Sequence, residues 1–337
     1  MVADNETLLI TRRSLADQLV SVDLVNTTTG MVTQAIEPLK YLTEPRWLPM
    51  NDTVIWRSIG TLDNTVPGIW EPGYWARSFN PSWERQLSGR GNGASTAHDV
   101  SPDGKEFVFM SLPDGTQPLI WNQETHTLRD LPVDFAQWRY LKGIAYPLRP
   151  FYPLWHPDGD KILFHDGTWI ILYDLTTNIG CDVNLMESAG RNYYIRDAQW
   201  SPDGRYLLIK NSDSPRYTST RGPVDMFLTL DTYTGEAVQH ILGHSINSFS
   251  WAADNQTIAM VAKTEEEVNG IELFGFYLFN IYSSDTQRIL PSFTAGSGIK
   301  WSSDGLRLAL KCRDSLPSLP PGDYLDLICI SQVSSNY

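Results

Sequence analysis

Cysteine is scarce in this sequence, with three among 337 residues, which excludes a disulfide scaffold or a multi-cysteine zinc site. No apolar run approaches the roughly 18 residues that a membrane-crossing helix needs, so no membrane insertion is expected. The opening MVADNETLLITRR lacks a basic stretch followed by an apolar one, so no signal peptide is visible there. Charge is low at 19% and basic residues are the scarcer kind: 26 Lys+Arg against 39 Asp+Glu leave a net charge of −13. Such an acidic body is a poor partner for a phosphate backbone, and no nucleic-acid partner is expected. H-E-x-x-H, C-x-x-C, the Walker loop and the G-x-S-x-G elbow are all missing from the sequence. No catalytic residue, metal or cofactor is therefore assigned. GRGNG (Gly89 to Gly93) lacks the Lys-Ser/Thr of a phosphate loop and precedes a strand.

What is present is apolar and periodic. Hydrophobic residues make up 42% and tryptophan occurs twelve times, enough for a sizeable core and too much for a disordered chain. One phrase recurs: VSPDGKEFVFM (Val100 to Met110), WHPDGDKILF (Trp155 to Phe164), WSPDGRYLLI (Trp200 to Ile209), WAADNQTIAM (Trp251 to Met260) and WSSDGLRLAL (Trp301 to Leu310). WLPMNDTVIW (Trp47 to Trp56) is a degraded copy and ADNETLLI (Ala3 to Ile10) a headless one. The turn aspartates Asp4, Asp52, Asp103, Asp158, Asp203, Asp254 and Asp304 are spaced by 48, 51, 55, 45, 51 and 50 residues. A period of this size means stacked supersecondary units.

Each phrase has a mechanical reading. Pro presets the first corner of a turn, Asp hydrogen-bonds the backbone, and Gly or Asn accepts positive φ where the chain reverses. A short strand ending in Trp is thus joined to a longer apolar strand. Two more strand candidates follow in each unit, as in TWIILYDLTTNIG (Thr168 to Gly180) and GFYLFNIYSSDTQRIL (Gly275 to Leu290). The expected fold is all-β: a single β-propeller domain over residues 1–337, built of four-stranded antiparallel blades. The seven turn aspartates predict seven blades, with the first lacking its inner strand. Six blades, closed by MVTQAI (Met31 to Ile36) and leaving Leu8 to Val25 as an extra hairpin, is the alternative.

The W-S-P-D-G-x-x-L/I phrase and the downstream YDLTTNIG (Tyr173 to Gly180) resemble the TolB-like, WD-repeat-like β-propeller repeats. The resemblance spans nearly the whole chain and concerns the fold. That family includes periplasmic envelope proteins, propellers attached to serine peptidases, and a few lyases. Some of those lyases hold a metal with channel-facing histidines and a glutamine, whereas here only His98 and His244 are placed that way.

A propeller implies ligands at one mouth of its channel, lined by the loops that lead into the inner strands. Those loops hold eight basic residues, Lys40, Arg46, Arg90, Arg139, Lys142, Arg149, Arg191 and Arg196, against two acidic ones, Glu44 and Asp197. Tyr140, Tyr146, Tyr152, Tyr193 and Tyr194 lie among them. Arginine beside tyrosine suits carboxylates, acidic sugars or acidic peptides. The candidate ligand-binding residues are Arg46, Arg90, His98, Arg139, Arg149, Tyr193, Tyr194, Arg196 and His244. Trp70, Tyr74 and Trp75, in a long insertion, are a candidate partner surface, with a loop folded back on itself as the alternative. Cys312 and Cys329 fall on neighbouring strands and are a disulfide candidate if they face each other. The alternative is two buried thiols. Such a bridge would favour an extracytoplasmic location.

The function expected is therefore a non-catalytic binding or scaffold propeller whose partner is a protein or an acidic carbohydrate or peptide. The alternatives are a propeller lyase or hydrolase, and a sensor or accessory domain of a longer membrane-anchored protein.

Overall fold

The computed structural model describes residues 7–13, 19–26, 28–40, 42–48, 52–58, 73–79, 82–87, 98–110, 117–135, 137–138, 151–184, 195–212, 225–242, 245–268, 271–294, 298–301, 307–314 and 325–332. It divides into two compact units, Met1–Val183 and Asn184–Tyr337.

The first unit opens with a three-stranded sheet of β1 (Thr7–Arg13), β2 (Leu19–Asn26) and β3 (Val32–Lys40). Three four-stranded sheets follow. They are β4 (Leu42–Leu48), β5 (Thr53–Ser58), β6 (Gly73–Phe79) and β7 (Ser82–Gln86); β8 (His98–Val100), β9 (Glu106–Met110), β10 (Pro118–Asn122) and β11 (Thr127–Asp130); and β12 (Tyr152–Trp155), β13 (Lys161–His165), β14 (Trp169–Asp174) and β15 (Ile179–Asn184). The last residue of β15 falls in the second unit by this division.

The second unit holds two four-stranded sheets and one of three strands. The first has β16 (Ile195–Trp200), β17 (Tyr206–Ser212), β18 (Asp225–Asp231) and β19 (Ala237–Ile241). The next has β20 (Ile246–Trp251), β21 (Thr257–Val268), β22 (Ile271–Asn280) and β23 (Thr286–Thr294). The last has β24 (Ile299–Trp301), β25 (Arg307–Asp314) and β26 (Leu325–Gln332). Every sheet is an antiparallel meander in chain order.

The recurring phrase makes the same hairpin each time. Its head residue pairs with the residue seven places on: Trp47 with Val54, Val100 with Phe107, Trp155 with Ile162, Trp200 with Leu207, Trp251 with Ile258 and Trp301 with Leu308. In the Ser201 turn the hydroxyl donates to Asp203 at 2.6 Å and accepts the Tyr206 N–H at 2.9 Å. Ser101 does the same at 2.7 and 2.8 Å. Gly104, Gly159 and Gly204 take φ of 71°, 83° and 73°, and Asn255 takes 58° at the matching place. The turn is thus closed by its own side chains, which is why the phrase recurs with so little change.

The blade count is corrected. Among the described residues there are twenty-six strands, enough for six four-stranded blades and short of the twenty-eight that seven would take. The deficit lies in the first and last sheets, which have three strands each. The first repeat has no strand-forming head before its turn in the sequence given. The segment proposed to close a sixth blade, Met31 to Ile36, lies mostly in β3 and pairs with β2, and β1 and β2 form the hairpin beside it.

Both faces of the sheets are apolar and covered. All six residues of β5 are buried, and β18 is buried at every position but one. In the first unit Val108, Ile120, Phe135, Phe151, Trp155, Ile162 and Phe164 form one cluster spanning two sheets. In the second, Leu208, Phe227, Phe249, Ile258, Met260 and Phe279 do the same. Trp155, Trp251 and Trp301 are buried at the sheet interfaces, but the largest fully buried rings are Trp56, Trp121 and Tyr74 on second and third strands.

Successive first strands are stitched by side chains to main chain. Asp99 accepts the Trp155 N–H at 2.7 Å, Ser250 accepts the Trp301 N–H at 3.4 Å, and the Gln199 amide donates to the Phe249 carbonyl at 3.0 Å. These bonds satisfy backbone groups on the free edge of each meander. Asp99→Ala is expected to cost about 1–3 kcal/mol in denaturant unfolding, because the Trp155 N–H loses its acceptor, with Asp99→Asn costing less.

Candidate functional site

The repeat places one recurring position on each second strand. Ten residues after the head this position is Arg57, Met110, His165, Lys210, Val261 and Lys311. Four of the six are basic, in a chain where basic residues are the minority. Reading loops alone missed this column; aligning the repeats beyond the turn shows it.

In the first unit Arg57 and His165 are 4% and 5% exposed. His165 stands opposite Tyr152 in the ladder, and their rings stack at 5.2 Å. Its Nδ1 is buried and has no hydrogen-bond partner among the described residues. Burial pushes its pKa down to about 4, against the opposing pull of the Asp166 carboxylate. The outer surface of this stack is Tyr152, which is exposed.

In the second unit Lys210 reaches the first strand of the next sheet. Its Nζ donates to the Ile246 carbonyl and lies 3.5 Å from Asp225 Oδ2. Asp225, buried at the start of β18, also accepts the Ile246 N–H at 2.7 Å and the Ser245 hydroxyl at 3.4 Å. An ion pair with 15% and 7% exposure holds only when its remaining donors and acceptors are met in this way. On the adjoining first strand, Arg196 and Asp197 are exposed and Asp197 pairs with Lys210 in register.

The residues singled out from the sequence divide as follows. Arg46 on β4 and Arg196 on β16 are exposed on first strands, and Arg46 has no ion-pair partner among the described residues. His98 is a core residue, with ring centroids 5.5 Å from Tyr74 and 5.3 Å from Phe107. Tyr74 is fully buried and Trp75 is half-buried against the cluster that holds Trp56. These two aromatics therefore belong to the sheet interior and not to an exposed partner surface. The reason is register: Trp56 and Arg57 stand opposite Trp75 and Tyr74, so the end of the insertion is strand. Arg90, Arg139, Arg149, Tyr193, Tyr194, His244 and Trp70 lie outside the described residues. Cys312 pairs with Leu327 and Cys329 with Leu310, so the two cysteines stand diagonally on the ladder. The condition that they face each other in register is therefore not met.

A solvent-open cleft of about 570 Å³ lies where β11 leads on towards β12, lined by Gln117, Asp130, Leu131, Pro132, Val133, Asp134 and Gln137. Gln117 is tied to the Leu131 carbonyl at 2.7 Å and Asp134 caps the Gln137 N–H at 2.9 Å. Only one group of potential metal ligands gathers among the described residues, His156, Asp158 and Asp160. His156 Nδ1 already faces the Asp158 N–H at 3.2 Å, and the Lys161 ammonium lies 2.9 Å from Asp160. A cation is therefore supplied by the chain itself, and the turn does not fit a metal.

Two outcomes follow from these environments. The folded state favours neutral His165, so its contribution is complete above about pH 6.5 and is lost as pH falls towards 4. The full span is on the order of 3 kcal/mol. Equilibrium unfolding from pH 7 to 4 is expected to show a steeper stability loss in the wild type than in His165→Phe. Lys210→Met leaves Asp225 buried without its cation and is expected to cost roughly 3 kcal/mol, whereas Lys210→Met with Asp225→Asn recovers much of that in the same assay.

No family model and no curated protein matches the chain. Solved structures do. The Cps50 (Swd1) β-propeller domain of Myceliophteria thermophila is 13% identical, with a TM-score of 0.56 over 91% of this chain and 94% of that one. An oligogalacturonate lyase in complex with manganese is 12% identical, with a TM-score of 0.62 over 98% and 87%. Hydrazine synthase of Kuenenia stuttgartiensis is 11% identical, with a TM-score of 0.57 over 96% and 95%. Among the described residues no helix is long and apolar enough to cross a membrane. At these identities the likeness carries the fold and nothing finer: the chain is an all-β β-propeller, with strands for six four-stranded blades.

Proposed function

We propose that this propeller is a binding module that holds an acidic ligand, a peptide or a carbohydrate rich in carboxylates, at its exposed first strands. The observation that supports this most is the exposed arginine on first strands, Arg46 and Arg196, in a chain of net charge −13. Arg46, exposed and without an ion-pair partner among the described residues, is suited to bidentate carboxylate recognition. In the first unit the buried Arg57 guanidinium on the neighbouring strand β5 adds positive charge near Arg46. Arg90, Arg139, Arg149, Tyr193 and Tyr194 are assigned to the same role by their place in the sequence.

A lyase reading has less support. One structural neighbour carries that name, but the described histidines His98 and His165 are buried among aromatic rings.

Titration of the protein with an oligoglutamate peptide and with an oligogalacturonate tests the binding reading. Arg46→Ala and Arg196→Ala are each expected to weaken binding about 5–10-fold, with a reduced salt dependence, since a charged hydrogen bond contributes about 1.5 kcal/mol. Equal binding by wild type and both variants, or none by the wild type, removes the proposal.

A further inference from the structure

The turns that join third to fourth strands lie beside the SPDG turns, at the end of the sheets opposite to the links between second and third strands. Two of them, in successive sheets of the second unit, are built alike. Asp231 Oδ1 accepts the N–H groups of Tyr233 and Thr234 at 2.9 and 3.2 Å. Asn280 Oδ1 accepts those of Tyr282 and Ser283 at 2.9 and 3.1 Å. Thr234 and Ser283 hydroxyls then accept the N–H groups of Glu236 and Asp285, each at 3.2 Å. Each turn therefore presents a tyrosine at its third position and a carboxylate at its sixth. The matching turns of the first unit do not: they have Glu124 with Thr127, and Thr176 with Ile179.

These tyrosines are exposed where most rings of the protein are buried, Tyr233 at 75% and Tyr282 at 60%. Tyr282 is also held in place. The Tyr282 hydroxyl bonds that of Tyr206 on β17 at 2.9 Å, and Ser284 bonds His240 on β19 at 3.1 Å, so the Asn280 turn is tied to the preceding sheet. Glu236 and Asp285 are exposed, and their carboxylates have no partner among the described residues.

The same surface shows what such a pair binds. The Arg205 guanidinium lies 4.9 Å from the Tyr206 ring centroid and is held by Asp231 Oδ2 at 2.8 and 3.0 Å. Ring, carboxylate and cation make a filled set. Tyr233 with Glu236, and Tyr282 with Asp285, offer the ring and the carboxylate without the cation. Arg205 is itself neutralised by Asp231, so it does not repel a second cation strongly.

We propose that this face docks a basic segment of a partner protein, with a lysine or arginine side chain taken at each tyrosine–carboxylate pair. Aromatic faces attract such cations, the tethered Tyr282 costs little entropy on binding, and the chain's −13 charge steers a basic partner towards it.

Fluorescence anisotropy with a labelled tetra-arginine peptide tests this, with tetraglutamate and a neutral maltooligosaccharide as comparators. The wild type is expected to bind the arginine peptide. Tyr233→Ala with Tyr282→Ala should weaken that binding about ten-fold, each exposed cation–ring contact being worth a factor of roughly 2–5. Tyr233→Phe with Tyr282→Phe keeps both rings while losing the Tyr206 hydrogen bond, and should retain most of the affinity. Glu236→Gln with Asp285→Asn should weaken it and flatten its salt dependence. Thermal melts of all variants confirm that these turn substitutions leave the fold intact. No binding by the wild type, unchanged binding by the Ala variant, or loss in that variant of oligosaccharide binding alone would overturn the proposal.

Discussion

Everything in this molecule follows from sheets that are apolar on both faces. A strand such as β5, buried at all six positions, cannot face water on either side, so each sheet must lie between two others or lose its core. Within each unit the hydrophobic clusters cross from one sheet to the next, and the aromatic contacts follow the same seams. Phe135 stacks on Phe151 at 4.2 Å, and Phe227 meets Phe249 edge-on at 5.0 Å. Burying one large side chain removes about 1.5–3 kcal/mol of exposure cost, and the seams repeat that many times over.

Apolar faces alone leave the backbone edges unmet. The first strands answer this with short polar side chains, Asp99, Ser250 and Gln199, that bond the next first strand. Buried basic residues on second strands act similarly; Lys210 with Asp225 ties two sheets through the Ile246 peptide. Because turns and seams are settled by repeated positions, the exposed residues of the sheets are free to differ. Arg46 and Arg196 occupy such freedom on first strands, and Tyr233 and Tyr282 in the turns that join third to fourth strands.

Much of the fold was legible because it rests on local chemistry. The SPDG phrase encodes its own turn, and the head-to-seventh pairing holds in all six copies that have a head, the degraded Trp47 copy included. The blade number was less legible, since counting turns counts hairpins and not complete sheets. The site was less legible still. His98 and Tyr74 fell in segments that looked like loops, yet both are core residues because the strands β6 and β8 extend through them. The cysteine pair failed in the same way: adjacency of strands was correct, but a ladder offset of two separates the residues.

By itself the sequence determined the period, the four-strand plan of each complete unit, the turn chemistry and the acidic balance, since each depends on residues close together along the chain. Only the tertiary structure decided which polar side chains meet water. Arg57 is buried and Arg46 exposed although eleven residues apart in one hairpin, because burial is set by the neighbouring sheet and not by the strand that carries the residue.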